Sequence, residues 1–243
     1  MTDLRRSVLL LSIVVLAACN RDEGTTVDSA QGELDMPRRK APPYQPGPVT
    51  GAGSITGTVS GATAPAAPTT GPCAGKAPAR APVVVYLEDI SRGLETPAGT
   101  PRRYELAVAE CVVEPSVSIA SAGATLNLSN ALNAVHQVSF VYEGMRNPMV
   151  RMPFSDPGQV VPSETVLDVP GLVEVQSDLA PSVKARIVVV EHPYAVETAN
   201  GSFTLEAVPP GTYTLVAVGL NGRTQSRVEV RPGAATSVTL QLQ

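Results

Sequence analysis

The sequence has few aromatic residues and almost no histidine. Of its 243 residues, none is tryptophan, 4% are aromatic and two are histidine. A core of this composition must consist mainly of valine, leucine, isoleucine and alanine. A histidine-dependent catalytic site would have to use His136 or His192, and neither lies in a G-x-S-x-G or HExxH pattern. We therefore do not expect an enzyme.

The sequence also lacks an extended basic patch and a helical hydrophobic repeat. Its formal net charge is −4, and without a basic patch we expect no nucleic-acid partner. No segment keeps the helical period of about 3.6 residues over several turns. With 23 prolines and 20 glycines, the composition instead favours short strands joined by turns.

Short apolar or alternating segments predict the strands, and turn sequences such as Asn200-Gly201 and Asn221-Gly222 separate them. Many short strands at this spacing predict an all-β fold in the form of a sandwich. The predicted strands are residues 55–59, 83–87, 117–119, 124–128, 135–141, 173–175, 185–190, 203–205, 213–218, 227–230 and 237–242.

The N-terminus has the layout of an export signal. Arg5 and Arg6 precede an apolar run at residues 8–18, which is short for a membrane span. The run ends in Leu-Ala-Ala-Cys19, which resembles the lipobox of bacterial lipoproteins. This resemblance implies that residues 1–18 are a signal peptide and that Cys19 carries the lipid. An ordinary secretory signal with an incidental cysteine is the alternative.

The lipoprotein resemblance also implies a location. Lipid on Cys19 would anchor the chain in the bacterial cell envelope, facing the periplasm or the cell surface. Because Asn20 replaces the aspartate that keeps many lipoproteins in the inner membrane, we expect the outer membrane. Residues 19–50 are polar and proline-rich, which predicts a disordered tether. The basic cluster at residues 38–40 fits a solvated part of that tether better than a contact with anionic lipid.

A loop in the second half of the chain has a regular spacing. Ser177, Ala180 and Val183 follow one another at intervals of three residues, before an apolar strand at 187–190 and the sequence His192-Pro-Tyr. This stretch resembles the copper-binding loop and closing strand of periplasmic cupredoxin-like domains of the methylamine-utilisation type. In that family the loop is Cys-x-x-His-x-x-Met, and its three ligands bind one copper.

His136 falls where the same family has its first copper histidine. The resemblance implies a Greek-key, cupredoxin-like sandwich over residues 99–190 that has lost its type 1 copper site. One histidine cannot replace the two imidazoles and the thiolate that such a site needs. We therefore expect no cofactor, and we interpret His136 as a residual side chain at the rim of the former site.

The two ends of the predicted folded part carry a second pattern. Residues 53–59 read Gly-Ser-Ile-Thr-Gly-Thr-Val, and residues 200–215 contain Asn-Gly-Ser-Phe and Pro-Gly-Thr-Tyr. They resemble a carboxypeptidase regulatory-like module, which implies a transthyretin-like sandwich without catalytic activity of its own. We expect this module at residues 51–98 and 191–243, with the cupredoxin-like domain inserted in it or packed on it. Its glycines suit turn positions with positive φ.

Three cysteines are present, and Cys19 is assigned to lipid. An exported chain favours oxidation of the remaining pair, Cys73 and Cys111, although two free thiols are the alternative. Both cysteines also resemble positions of the cupredoxin-like family, where Cys-x-x-x-Pro begins a strand and a second cysteine commonly pairs with it. The resemblance implies a Cys73–Cys111 disulfide.

The sequence therefore predicts a non-catalytic envelope lipoprotein that serves as a binding or structural module. Its expected partners are the membrane, through Cys19, and a protein or polysaccharide of the envelope. The alternative is a copper-binding or copper-handling periplasmic protein that uses His136 together with Met145, Met149 and Met152, since thioethers can hold Cu(I).

Overall fold

The computed structural model describes residues 37, 39, 42–63, 66–71, 73–78, 82–97 and 100–243. The predicted signal peptide, Cys19 and most of the predicted tether lie outside these residues. The described part contains no helix with the length and hydropathy that crossing a bilayer would require. Its secondary structure consists of β-strands, so the all-β prediction is confirmed.

The strands in the described part are β1 (Gln45–Pro46), β2 (Gly53–Ser60), β3 (Val83–Leu87), β4 (Arg92–Gly93), β5 (Arg103–Ala109), β6 (Val112–Glu114), β7 (Val117–Ser121), β8 (Thr125–Asn130), β9 (His136–Tyr142), β10 (Val150–Phe154), β11 (Val160–Ser163), β12 (Gly171–Ser177), β13 (Lys184–Val190), β14 (Ala195–Thr198), β15 (Ser202–Val208), β16 (Gly211–Val218), β17 (Arg223–Val230) and β18 (Ala235–Gln241).

Strands β5–β13 form a first sandwich, which we call the insert sandwich. One sheet has the order β10-β9-β12-β13-β7, and the other has the order β11-β8-β5-β6. Alternate residues of these strands point inward, as in β8 and β9, and bury a shared aliphatic and aromatic core. The large side chains of this core include Phe140 and Phe154.

Strands β2, β3 and β14–β18 form a second sandwich, which we call the host sandwich. Its sheets have the orders β14-β3-β16-β17 and β15-β2-β18. The insert sandwich lies between β3 and β14 in the chain, so the host is built from both sides of it. Parallel pairing of β2 with β18 joins residues at the two ends of the folded chain, such as Ser54 and Ala235.

A third apolar core lies between the two sandwiches. It contains Val84 and Tyr86 of β3 and Val216 of β16 from the host, and Leu172 and Val188 from the insert. These residues point away from the cores of their own sandwiches, because their neighbours along each strand belong to those cores. All five residues of β3 are therefore buried, which explains why this strand reads as a continuous apolar run.

Polar contacts border the third core. The Arg186 guanidinium of β13 donates to the carbonyl oxygens of Gly219 and Gly222 at 2.9 and 3.1 Å, in the turn between β16 and β17. Arg223 of β17 lies with its Nε 3.2 Å from the carboxylate of Glu143 in the insert sandwich. These contacts fix the β16–β17 hairpin against the insert.

Glycine at position 57 has a packing role that differs from the predicted one. Gly57 lies within β2 and pairs with Phe203 of β15. A Cβ atom at this position would lie 2.3 Å from the Val238 carbonyl oxygen and 2.8 Å from the Phe203 ring, so glycine is needed for the close approach of both neighbours and not for positive φ. Gly201, by contrast, has a φ of 83° in the turn before β15, as predicted for a turn glycine.

The disulfide between Cys73 and Cys111 is present in the structure. Cys73 belongs to the connection from β2 to β3 of the host, but it is buried in the core of the insert. Cys111 lies in the two-residue turn between β5 and β6, where Glu110 and Cys111 both have positive φ. The bond spans 38 residues, for which the chain-entropy model gives about 4 kcal/mol of stabilisation.

The end of the predicted tether differs from the prediction, because it is folded onto the host sandwich. Gln45 and Pro46 pair in parallel with β4, and the Tyr44 hydroxyl donates to the carbonyl oxygen of Leu94 at 2.6 Å. The Arg39 guanidinium forms a salt bridge with Glu191. These contacts could not be predicted from composition, because a proline-rich polar segment has the composition of a flexible linker whether or not it packs against a folded domain.

His192 lies beneath this folded segment. Its ring centroid is 5.7 Å from that of Tyr44, and its Nδ1 accepts a hydrogen bond from the Tyr194 amide at 3.2 Å. Burial lowers the pKa of His192 to about 4, although a hydrogen bond with the backbone of Leu87 partly opposes the shift. The neutral ring is thus the form that fits the folded state.

We expect loss of the third core to destabilise the whole protein. Leu172 is 2% exposed, and Leu172→Ala should lower the free energy of unfolding by about 2–5 kcal/mol. Chemical denaturation measures this change. Val160→Ala, at a side chain that is 55% exposed, is the control and should change the free energy by less than about 0.5 kcal/mol. Equal effects of the two variants would mean that the sandwiches do not stabilise each other.

We also expect the free energy of unfolding to decrease as the pH is lowered, because of His192. The pKa of His192 is near 6.5 in the unfolded chain and about 4 in the folded protein. The stabilisation that follows from this difference is therefore fully present above pH 6.5 and is lost as the pH falls towards 4. Between pH 7 and 5.5 the loss should be about 1 kcal/mol from this residue. His192→Gln should reduce the pH dependence of the unfolding free energy by that amount, and an unchanged pH dependence would contradict the assignment.

Candidate functional site

The structure brings two of the predicted positions, His136 and Ser177, into contact at one end of the insert sandwich. His136 is the first residue of β9 and Ser177 is the last residue of β12, and these strands are neighbours in one sheet. The two side chains are 3% and 1% exposed. Both polar groups therefore lie inside the protein, where each needs a hydrogen-bond partner. His136, which the sequence analysis placed at the rim of a former site, is thus a buried side chain.

Both ring nitrogens of His136 have partners. Nδ1 lies 3.1 Å from Ser177 Oγ, and Nε2 lies 3.0 Å from Oδ1 of Asn130. Asn130 is the last residue of β8, in the opposite sheet. The imidazole thus bridges the two sheets of the insert sandwich.

The contacts of Asn130 determine the direction of these hydrogen bonds. Its Nδ2 donates to the carbonyl oxygens of Leu132 and Asp156, both at 3.0 Å. Its Oδ1 accepts from the Leu132 amide at 2.9 Å, so it must also be the acceptor for His136 Nε2–H. The histidine is then the Nε2–H tautomer, and its Nδ1 lone pair accepts the hydrogen bond from the Ser177 hydroxyl.

The remaining contact of Ser177 completes the cluster. Its Oγ accepts from the Leu179 amide at 3.3 Å. We call Asn130, His136 and Ser177 the polar cluster. Each hydrogen-bonding group of the neutral imidazole is satisfied within it. Burial lowers the pKa of His136, because charging the ring would require a desolvated cation.

The loop after Ser177 folds back onto the core. The Ser177 amide donates to the Val183 carbonyl at 2.9 Å, and the Val183 amide donates to the Ala180 carbonyl at 3.0 Å. The Val183 side chain is fully buried in the insert core, and Ala180 packs against that core. The spacing of three and three residues therefore corresponds to a closed loop, in which Ser177 contacts His136 and the other two positions pack on the core.

Phe154 is a further neighbour of His136. The two residues are paired between β10 and β9, and their rings are stacked with centroids 5.4 Å apart. Neither Phe154 nor the Asn130 contact was identified from the sequence. Nothing in the sequence indicated the contact between Asn130 and His136, because it depends on the approach of two sheets and not on spacing along the chain.

Of the three methionines considered as copper ligands, one is buried in the insert core and two are half-buried against it. Met152 is 3% exposed and pairs with Val138 across β10 and β9, two residues along from His136. Met145 and Met149 pack against the same core. Within the described residues, no group of three His, Cys, Asp or Glu side chains is placed to hold a metal ion.

The polar cluster contains the side chains of a nucleophilic catalytic site in a buried form. Ser177, His136 and Asn130 follow one another through hydrogen bonds, as a nucleophile, base and orienting group would. However, with Ser177 1% exposed, its hydroxyl is not open to a substrate. The Ser177 hydroxyl donates its proton to His136 Nδ1 inside the core. Through this bond and the one from Nε2 to Asn130, the cluster links the two sheets.

The C-terminal part of the chain matches a known family. The carboxypeptidase regulatory-like domain family matches residues 168–243. The match covers the host strands β14–β18 and extends into residues 168–190, which belong to the insert sandwich. The chain therefore contains a carboxypeptidase regulatory-like domain. Comparison with curated protein sequences found no match.

The structure has cupredoxins among its structural neighbours. A purple cupredoxin from Nitrosopumilus maritimus is 12% identical, with a TM-score of 0.31, over 35% of this chain and 98% of that chain. Plastocyanin from Dryopteris crassirhizoma is 16% identical, with a TM-score of 0.30, over 36% and 100% of the two chains. A variant of amicyanin in its Cu(I) form is 16% identical, with a TM-score of 0.29, over 40% and 87%. The chain thus combines a carboxypeptidase regulatory-like domain with cupredoxin-like structural neighbours.

Proposed function

We propose that this protein is a non-catalytic binding or structural module of the bacterial envelope, anchored through lipid on Cys19. In this proposal the insert sandwich keeps a cupredoxin-like scaffold and has replaced its copper site by the polar cluster. The observation that carries the proposal is the 3.1 Å hydrogen bond between His136 Nδ1 and Ser177 Oγ, because it occupies the lone pair that a metal would need.

The chemistry of the four predicted positions supports this proposal. A serine hydroxyl is a weak ligand for copper, and alanine and valine offer no donor atom. His136 would have to give up the Ser177 contact to bind a metal at Nδ1, and the Asn130 contact to bind one at Nε2. Either change would leave a buried polar group without its partner, which costs free energy.

The alternative function is copper handling by His136 together with the methionines. The observation in its favour is that Met152 lies on the strand next to His136 and faces the same core. Cu(I) accepts thioether and imidazole ligands. This alternative requires the core to open at β10, so it predicts a copper-dependent change in stability.

Copper titration distinguishes the two functions. We expect the wild-type protein to bind Cu(II) weakly, without an intense visible charge-transfer band and without a rise in melting temperature at one equivalent. The triple variant Ser177→Cys, Ala180→His, Val183→Met should bind at least about 100-fold more tightly, because it adds the missing thiolate, imidazole and thioether.

Ser177→Ala is the matched control for the copper experiment, since it frees Nδ1 without adding a ligand. It should bind copper no better than about tenfold over wild type, because a single imidazole remains. Tight copper binding by the wild-type protein would overturn the proposed loss of the site. If the triple variant gains no affinity, the loop does not have the geometry of a copper site.

Acylation tests the anchoring part of the proposal. Cys19 lies outside the described residues, so this part rests on the sequence alone. Cells fed a clickable fatty acid should label the wild-type protein, and Cys19→Ala should lose the label. Asn20→Ala is the control, because it keeps the thiol and should remain labelled. Equal labelling of wild type and Cys19→Ala would show that the chain is not a lipoprotein.

A further inference from the structure

The folded end of the predicted tether lies across the junction between the two sandwiches. We call Arg39 and residues 42–47 the clasp. Beneath it is a small cavity of about 40 Å³, bordered by Tyr86 of the host and Val189 of the insert. The clasp therefore covers the line along which host and insert meet.

Glu191 holds one end of the clasp. This residue directly follows β13, and both of its carboxylate oxygens accept hydrogen bonds from the Arg39 guanidinium. Its Oε2 also lies 3.3 Å from the Tyr44 amide, which donates to it. The Arg39 and Glu191 side chains are 36% and 24% exposed, so water reaches this ion pair and competes for it.

Backbone hydrogen bonds hold the other end of the clasp. The Gln45 amide donates to the Ser91 carbonyl oxygen at 2.9 Å, and the Gly47 amide donates to that of Gly93 at 2.7 Å. The strand pairing with β4 is only two residues long. A short pairing at the surface can open while the core beneath it stays folded, because few buried contacts are lost.

His192 is the titratable group that the clasp covers. The residue is 9% exposed, and the Tyr44 ring lies over it with centroids 5.7 Å apart. Its Nδ1 accepts the hydrogen bond from the Tyr194 amide at 3.2 Å. A proton added to Nδ1 would face the Tyr194 N–H and break this bond. The docked clasp would also keep water from the resulting cation, so it fits the neutral ring only.

The charges around the ring favour release of the clasp once the ring is protonated. The nearest carboxylate along the chain is Glu191, and the docked clasp neutralises it with Arg39. Lifting the clasp would free this carboxylate for the imidazolium and admit water. The other charged or titratable groups that border the two cavities at the ring, or contact it, are Tyr44, Tyr86, Glu88, Glu95, Arg102 and Tyr194.

We infer that the clasp is an acid-released strap, which closes the junction while His192 is neutral and lifts when the ring takes up a proton. Release would remove Tyr44 and Pro46 from the wall of a neighbouring groove of about 700 Å³. With the chain anchored through Cys19, as proposed above, release would also lengthen its connection to the membrane. The gain is at most about 30 Å, the extended span of residues 39–47.

Proton linkage gives the direction and the size of the effect. The pKa of His192 is about 4 in the folded protein, below the ordinary value of about 6.5. Docking is therefore strongest above pH 6.5 and weakens as the pH falls towards 4. Because Leu87 and Tyr194 also contact the ring, the clasp causes part of the burial. We expect its docking equilibrium constant to fall at least about threefold between pH 7 and pH 5.

Hydrogen exchange of the full-length protein, read by mass spectrometry and corrected for the intrinsic pH dependence of exchange, tests the inference. We expect the protection of the segment with the Gln45 and Gly47 amides to fall at least about threefold between pH 7 and pH 5. The amides of β16 should be more protected than the clasp at both pH values, because they exchange only when the host core opens.

Two variants separate the roles of the ring and of the ion pair. In His192→Gln, clasp protection should change less than about twofold over the same pH range, because no group titrates beneath the clasp. In Glu191→Gln, protection should already fall at least about threefold at pH 7, because the charge-assisted contact is lost. The matched control is Glu229→Gln, at an exposed ion pair with Arg231 on the host, and it should exchange like the wild type.

Tyr44→Ala gives a second measurement that does not depend on how a His192 variant folds. The protein has two histidines, so the imidazole signals can be assigned in NMR spectra by comparison with His192→Gln. Without the Tyr44 ring, the pKa of His192 should rise towards its ordinary value of about 6.5.

Each of three results would overturn the inference. Equal protection of the clasp and β16 would mean that the clasp opens only with the whole host. Equal loss of clasp protection at pH 5 in wild type and His192→Gln would assign the release to another group. An unchanged pKa of His192 in Tyr44→Ala would show that the clasp does not control the ring. The copper titration and the acylation test leave this inference untouched, since neither involves the clasp.

Discussion

The apolar packing between one sheet of each sandwich is the constraint on which the rest of the structure depends. The host sheet that contains β3 has one face in the host core and the other against the insert. Both faces of β3 are buried, so the insert is an integral part of the host and not an appended domain. Arg186, which donates to the carbonyls of the β16–β17 turn, fixes the orientation that the apolar contact alone would leave free.

The polar cluster satisfies the polar side chains that two sheet ends turn into the core of the insert sandwich. Two sheet ends with inward-facing polar residues need a partner between them, because unsatisfied polar groups are costly in a core. Here Asn130, His136 and Ser177 satisfy one another in one direction, from the Ser177 hydroxyl to Nδ1 and from Nε2 to Asn130. Each donor in this chain has an acceptor, so the cluster links the two sheets of the insert sandwich.

The sequence predicted those features that depend on local pattern. Strand periodicity located β3 and β9, and the resemblance of the loop singled out His136 and Ser177, whose side chains are in contact. It could not predict the contact of His136 with Asn130, because that contact depends on how two sheets approach. It also missed the folded segment at Tyr44, where a composition typical of linkers is overridden by a single aromatic contact and a two-residue strand pairing.

The position of the insert has a consequence for the order in which the two sandwiches fold. Strand β3 pairs with β16, whose residues follow more than a hundred positions later, and β2 pairs with β18 at the end of the chain. The strands of the insert, by contrast, are complete at Val190. All strands of the insert therefore precede the last partners of β2 and β3 in the chain. Because non-local pairing is slow, we expect the insert sandwich to form first, so that its apolar surface is in place when β3 pairs with β16 and the host assembles.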